Sequence, residues 1–226
     1  MAKTYSIAID GPAGAGKSTI ARQLAKKLGY YYVDTGAIYR TVAYFMDLLG
    51  VSAKDVDGVT KYIDELTIEI CYDEEGKQHM IMNGMDVTDD IRTPEISKMA
   101  SDVSAHGVVR DMLLDMQRDV AKKHNVIMDG RDIGTVVLPR ADVKIFLTAS
   151  AEVRATRRHA ELLAKGSKDS YEKVLADIQK RDYNDSHREI APLKQARDAV
   201  KLDTSSMDIE QVLSAIEKII QEKIGQ

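Results

Sequence analysis

The chain has one cysteine, Cys71, among its 226 residues, so no internal disulfide can form. That fits a reducing compartment. Cys71 sits in an alternating segment and reads as a packing residue, not a nucleophile. No apolar stretch approaches the roughly 20 residues that a membrane-spanning helix needs. The run Tyr5-Ser6-Ile7-Ala8-Ile9 is not preceded by a basic segment and a long apolar core, so no secretion leader is expected. A large charge of one sign is also lacking. The net charge of −4 gives no global pull toward a nucleic-acid polymer. His79, His106, His124, His159 and His187 show no metal-ligand spacing. There is no internal repeat and no low-complexity tract. The expectation is a soluble, cytoplasmic protein without a membrane partner.

What is present describes a globular protein. Hydrophobic residues make up 44% and charged residues 30%, and the length suits one unit with lobes or two small domains. Residues 5–9 read as a buried strand. A helix over 17–28 follows, with Ile20, Leu24 and Leu28 on one stripe and Gly29 as its stop. Residues 30–33 read as a strand and 37–49 as a helix ended by Gly50. Further strands are expected at 126–128, 143–147 and 199–202, and a last helix near 207–223. This alternation predicts an α/β fold with a parallel sheet covered on both faces. Residues 60–90 break the pattern. Thr67 to Tyr72 alternates, Asp73-Glu74-Glu75-Gly76 reads as a turn, and Gln78 to Asn83 returns. An antiparallel hairpin does not belong in a parallel core, so it is placed in an inserted lobe. Residues 152–190 carry two basic helical patterns joined by the polar turn Lys165-Gly166-Ser167-Lys168-Asp169-Ser170, a candidate mobile segment.

The firmest feature is Gly11-Pro12-Ala13-Gly14-Ala15-Gly16-Lys17-Ser18-Thr19. It meets G-x-x-x-x-G-K-[ST] at every required position, between a strand and a helix. Such a loop turns its N–H groups onto phosphate oxygens, and the following helix adds its positive end. Lys17 is then expected on the β- and γ-phosphates and the Ser18 hydroxyl on Mg²⁺. No Asn-Lys-x-Asp segment that would read guanine is present. A kinase for a small phosphorylated acceptor needs cationic clamps, because two anions must approach each other. Arg40, Arg92, Arg110, Arg131, Arg157, Arg158, Arg181 and Arg188 supply candidates.

Asp129 ends an apolar strand. It can hold Mg²⁺, through water, or cap a helix, and the spacing leaves both readings open. Arg181, Asp185 and Arg188 lie at i, i+4 and i+7, one face if the helix continues to Arg188.

Four segments together resemble the bacterial cytidylate kinases. They are Gly11–Thr19, Asp34-Thr35-Gly36-Ala37-Ile38-Tyr39-Arg40, Asp129-Gly130-Arg131-Asp132-Ile133-Gly134-Thr135, and Arg181-Asp182 with Asp185 and Arg188. The likeness spans essentially the whole chain; Thr35 stands where some relatives carry Ser, so the hydroxyl is kept. It implies a three-layer P-loop nucleoside monophosphate kinase. A five-stranded parallel sheet carries a monophosphate-binding lobe at about 35–105, with its antiparallel insert at about 60–90. A helical lid occupies about 152–190.

The resemblance also implies site roles. Residues 11–19 bind ATP, and Lys17, Arg131 and Arg157 serve catalysis, with Arg154 and Arg158 as alternates for Arg157 in the lid. The acceptor nucleotide falls to Thr35, Arg40, Ser101, Arg110, Arg131, Asp132, Arg181, Asp185 and Arg188. Ser18 and Asp129 hold Mg²⁺. Asp132 is placed on the base, where a carboxylate accepts from the 4-amino group of cytosine but meets only an acceptor on uracil. The expected reaction is phosphorylation of CMP and dCMP by ATP, in a monomer. A kinase for another nucleoside monophosphate or a small metabolite is the alternative, and a nucleotide-dependent binding switch is a third reading.

Overall fold

Ile7, Ala8 and Ile9 have no exposed surface at all, which a strand achieves only when both of its faces are covered. A computed structural model describes residues 3–225. In chain order it begins with β1 (Ser6–Asp10), α1 (Lys17–Leu28), β2 (Tyr31–Asp34), α2 (Thr35–Leu48) and α3 (Val56–Tyr62). Three short strands follow: β3 (Ile68–Tyr72), β4 (Gln78–Met82) and β5 (Met85–Asp86). Next come α4 (Pro94–Val103), α5 (Gly107–Lys123), β6 (Val126–Gly130) and a π-helical segment, Ile133–Val137. The chain ends with β7 (Val143–Thr148), α6 (Ala151–Ala164), α7 (Tyr171–His187), β8 (Val200–Asp203) and α8 (Ile209–Ile224).

The five core strands pair in the order β2-β6-β1-β7-β8, all parallel. Successive residues of a strand face opposite sides, and the core divides accordingly. Ala8, Val33 and Met128 pack with Val42 and Met46 of α2, Ile96 of α4 and Leu113 of α5. Ile7, Ile9, Ile127 and Ile145 pack with Ile20 and Leu24 of α1 and with Val212, Ile216 and Ile220 of α8. Each such side chain contributes about 1.5–3 kcal/mol by burial. The three-layer α/β architecture and its five parallel strands are thus as expected.

The differences lie at boundaries. The helix expected at 37–49 starts at Thr35, because Asp34 caps it by accepting from the Ala37 N–H at 2.9 Å. The helix carrying Arg181 and Asp185 ends at His187, and Arg188 already has extended backbone, so the three residues do not form one helical face.

The insert is antiparallel in the order β3-β4-β5, with Ile70 opposite Met80. Its third strand was not foreseen, although the signal was present. Asn83 and Gly84 both take positive φ (47° and 82°), the conformation that a two-residue hairpin turn demands. Cys71 corrects the sequence reading. It is exposed, since β3 half-buries Ile68, Ile70 and Tyr72 while Glu69 and Cys71 face outward. The α6–α7 pair closes on a small core of its own, Ala155, Val174 and Ile178. No helix among the described residues is long and apolar enough to cross a membrane.

A Cβ added at Gly11 would lie 1.9 Å from the carbonyl oxygen of Leu147, whereas one added at Gly84 meets nothing within 4 Å. Gly84→Ala should therefore cost only about 1 kcal/mol of backbone strain. Gly11→Ala should cost about 3 kcal/mol or more, since rigid backbone must move. Thermal unfolding of both variants checks this, and equal shifts would contradict the packing of the loop against β7. A second expectation concerns His79, whose ring lies 2.8 Å from Asp86 and 3.3 Å from Asp73. Hydrogen bonds to Asp86 and then Asp73 raise its pKa above the ordinary 6.5. Its contribution to the insert is therefore full below pH 6.5 and lost as pH rises through the raised value. An NMR titration should show the raised value in the native chain and a fall toward the ordinary one in Asp86→Asn.

Candidate active site

Three carboxylates stand in a row at the C-terminal edge of the sheet. Asp34 is the register partner of Asp129, and Asp10, ending β1, is the partner of Gly130. Ligands of open α/β sheets bind at this edge. The loop Gly11–Gly16 leaves β1 here and delivers Lys17 at the start of α1. Pro12, Ala13, Gly14 and Ala15 form its rim, and Ser18 and Thr19 lie in the first turn of α1. Lys17 is buried, and its Nζ donates to the carbonyl of Pro12 at 2.8 Å. Burial, and after it the charge of Arg131, pulls the Lys17 amine down to about 7. Anionic oxygens placed beside the amine would oppose both effects and favour its charged form.

Asp129 accepts from the Ser18 hydroxyl at 3.0 Å and from the Tyr32 hydroxyl at 2.8 Å. It caps no helix, so the capping alternative falls. Burial and the neighbouring Asp34 push its carboxyl up, while Lys17 opposes them. Ser18 and Asp129 are hard oxygen donors side by side, and no cluster of three or more acids, histidines and cysteines is present among the described residues. That donor set fits Mg²⁺, which keeps several waters and takes oxygens from the bound phosphates, and does not fit a cation needing a full protein cage.

A second group of charges begins at α2. The Asp34 Oδ2 accepts from Arg40 Nη2 at 2.9 Å and from Arg92 Nη1 at 3.2 Å. Burial alone would raise the Asp34 carboxyl, but Arg40 and Arg92 outweigh it and hold it below its ordinary value. The Thr35 hydroxyl donates to the Asp129 carbonyl at 2.7 Å, which leaves its lone pairs as acceptors. Arg131 Nε donates to Asp185 at 2.8 Å. Asp132 is buried between two guanidinium groups: a close pair with Arg110 and a contact with Arg188 at 3.5 Å. Burial raises its carboxyl against the pull of Arg110 and Arg188. Breaking such a buried pair from one side costs about 3–5 kcal/mol, so the three residues act as a unit. Ser101, Asp185 and Arg188 line a cavity of 260 Å³ together with Lys54, His106 and Asn184. A second cavity, of 220 Å³, lies against Arg110 and Tyr39.

Between donor and acceptor sides the site is short of negative charge. Lys17, Arg131 and Arg181 lie within electrostatic reach of one another, and Arg40 and Arg158 also act on Arg181. Burial and then Arg131 bring the Arg181 guanidinium down to about 10. The Nε atoms of Arg181 and Arg40 are buried without a hydrogen-bond partner among the described residues. Groups so placed suit anionic oxygens.

The three arginines of α6 separate by partner. Arg154 is buried and forks onto Asp182 at 2.9 and 2.6 Å, and it also donates to the loop carbonyl of Ala13 at 3.0 Å. Arg157 donates to the Thr204 carbonyl at 2.8 Å, apart from the cationic group. Arg158 pairs with Glu161 at 3.1 Å, and its charge is felt at Arg181. Sequence reasoning missed Asp10. It accepts from the N–H groups of Ile133 and Gly134, both at 2.7 Å, and so fastens the turn that carries Asp132. Burial pushes its carboxyl up to about 6. The signal available was an acid ending an apolar strand, the same one that drew attention to Asp129.

Comparison with known proteins places the chain in a family. The family model described as cytidylate kinase matches residues 7–222. A cytidylate kinase of Exiguobacterium sp. is 50% identical over 222 residues, covering 98% of this chain and 99% of that one. A cytidylate kinase of Carboxydothermus hydrogenoformans is 52% identical over 217 residues, covering 96% and 97%. Among solved structures, an uncharacterized protein from Eubacterium ventriosum superposes with a TM-score of 0.51 at 14% identity, covering 96% of this chain and 99% of that one, a likeness of fold alone. The chain belongs to the cytidylate kinase family, a family of nucleoside monophosphate kinases.

Proposed function

We infer that the protein transfers the terminal phosphoryl group of ATP directly to the phosphate of CMP or dCMP, giving ADP and CDP or dCDP. The observation that carries this reading is the cluster of buried Lys17 with half-buried Arg131, Arg181 and Arg40, two of whose Nε atoms have no hydrogen-bond partner among the described residues, near the buried carboxylate of Asp132, which suits base reading. A single triphosphate site does not need the second half of that arrangement. A kinase whose acceptor is itself a phosphate does.

In this reading the loop at 11–16 and Lys17 grip the donor phosphates. Arg40, Arg131 and Arg181 neutralise the acceptor phosphate and hold its oxygen in line with the γ-phosphorus. When bound between Ser18, Asp129 and the phosphates, Mg²⁺ supplies charge neutralisation of the donor. Asp132, held by Arg110 and Arg188, accepts from the cytosine amino group, while Ser101 and Asp185 face the acceptor cavity. The α6–α7 lid excludes water on closing, which otherwise diverts ATP to hydrolysis. Arg157, on releasing Thr204, or Arg158 then completes the cationic group. No covalent intermediate is needed, because positioning and charge carry phosphoryl transfer. The enzyme works as a monomer in the cytoplasm, where its ATP is.

An acceptor panel with ATP and Mg²⁺ and coupled ADP detection tests the reading. CMP and dCMP should turn over fastest. Faster turnover of AMP or UMP would reassign the acceptor, and ADP release without any acceptor would favour a binding switch. Asp132→Asn should lower activity and narrow the CMP/UMP ratio of kcat/KM by roughly 10-fold or more, the worth of one good base contact. An unchanged ratio would remove Asp132 from base reading.

A further inference from the structure

The antiparallel insert touches the acceptor side through one buried side chain. Gln78, the first residue of β4, is 7% exposed and has no counterpart in the machinery described so far. Its Oε1 accepts from the backbone N–H of Asp34 at 2.7 Å, and its Nε2 donates to the Asp34 carbonyl at 3.4 Å. The same Nε2 lies 3.0 Å from the Met80 sulfur, which fixes which way the amide points. Gln78 therefore pairs with Asp34 as a neighbouring strand residue would, at the free edge where β2 has no further strand. The Asp34 side chain then does three things at once. Its Oδ1 caps α2, and its Oδ2 holds both Arg40 and Arg92. Apart from its hydrogen bond to Asp34, Arg40 has an unpartnered buried Nε.

We propose that Gln78 is a positioning residue. By clamping the backbone of Asp34 it fixes the carboxylate that aims Arg40 and Arg92, so the insert sets the geometry of the acceptor-phosphate clamp without touching the phosphate. This rests on the CMP kinase reading above and assigns its insert a task. A second tether offers a matched control. The Tyr72 hydroxyl of β3 donates to the Tyr32 carbonyl at 3.0 Å, joining the same insert to the same strand two residues before Asp34. Loosening the insert through Tyr72 does not free the Asp34 backbone.

The test compares Gln78→Met, which keeps the volume but loses both hydrogen bonds, with Tyr72→Phe in the full chain. Gln78→Met should raise KM for CMP about tenfold, the scale of one lost positioning contact. KM for ATP and inhibition by cytidine, which lacks the phosphate, should stay within about twofold. Tyr72→Phe should lower the unfolding midpoint with KM for CMP unchanged. In an Arg40→Ala, Arg92→Ala background the Gln78→Met change should add nothing to KM for CMP, because both groups it aims are gone. If Gln78→Met does not fold, Gln78→Asn makes the same comparison with a shorter amide. An unchanged KM for CMP, or an equal rise in KM for ATP or in the cytidine constant, overturns the proposal. The kinase reading fails separately, by a wild-type chain that does not phosphorylate CMP.

Discussion

The site depends on positive charge, buried at Lys17 and half-buried at three arginines, that the neighbouring carboxylates only partly match. Lys17, Arg131, Arg181 and Arg40 are gathered where the parallel strands end, and their mutual repulsion is met only in part by Asp129, Asp185 and Asp34. Folding tolerates this because the rest of the chain supplies two apolar layers on the sheet. In the function proposed above, a donor triphosphate and an acceptor phosphate fill this deficit.

The carboxylates at the strand ends divide the work. Asp129 faces the loop and Ser18, Asp34 faces the acceptor arginines, and Asp10 faces inward to hold the turn that carries Asp132. Their order follows from the pairing β2-β6-β1, which sets the ends of three strands side by side. A one-residue slip in any of these pairings would turn an acid from the edge into the apolar layers. Register therefore matters to chemistry here as much as to packing.

The insert and the lid are attached to this edge by polar contacts. Gln78 joins the insert to Asp34, and Arg154 of α6, itself held by Asp182 of α7, joins this helix pair to the loop through the Ala13 carbonyl. Both joints are buried on the protein side, where a hydrogen bond costs much to leave unmade. These joints tie the insert to Asp34 and the α6–α7 pair to the Gly11–Gly16 loop.

The sequence by itself determined the donor site and the layer architecture. Gly11–Thr19 is local in the chain, and its chemistry needs only a strand before it and a helix after it. The 3.6-residue and alternating patterns likewise depend on near neighbours, which is why the core strands and α1, α2 and α8 were legible to within a few residues. The Asn83-Gly84 turn was legible too and was passed over. What only the tertiary structure decided is who meets whom. Asp10 acquires its task from Ile133 and Gly134, more than 120 residues away, and Gln78 from Asp34 across 44. The exposure of Cys71 turned on which face of β3 the insert buries, and the parting of Arg154, Arg157 and Arg158 turned on Asp182 and Thr204 standing nearby. Charge pairing acts through space over a few ångströms, and sequence separation carries no record of it.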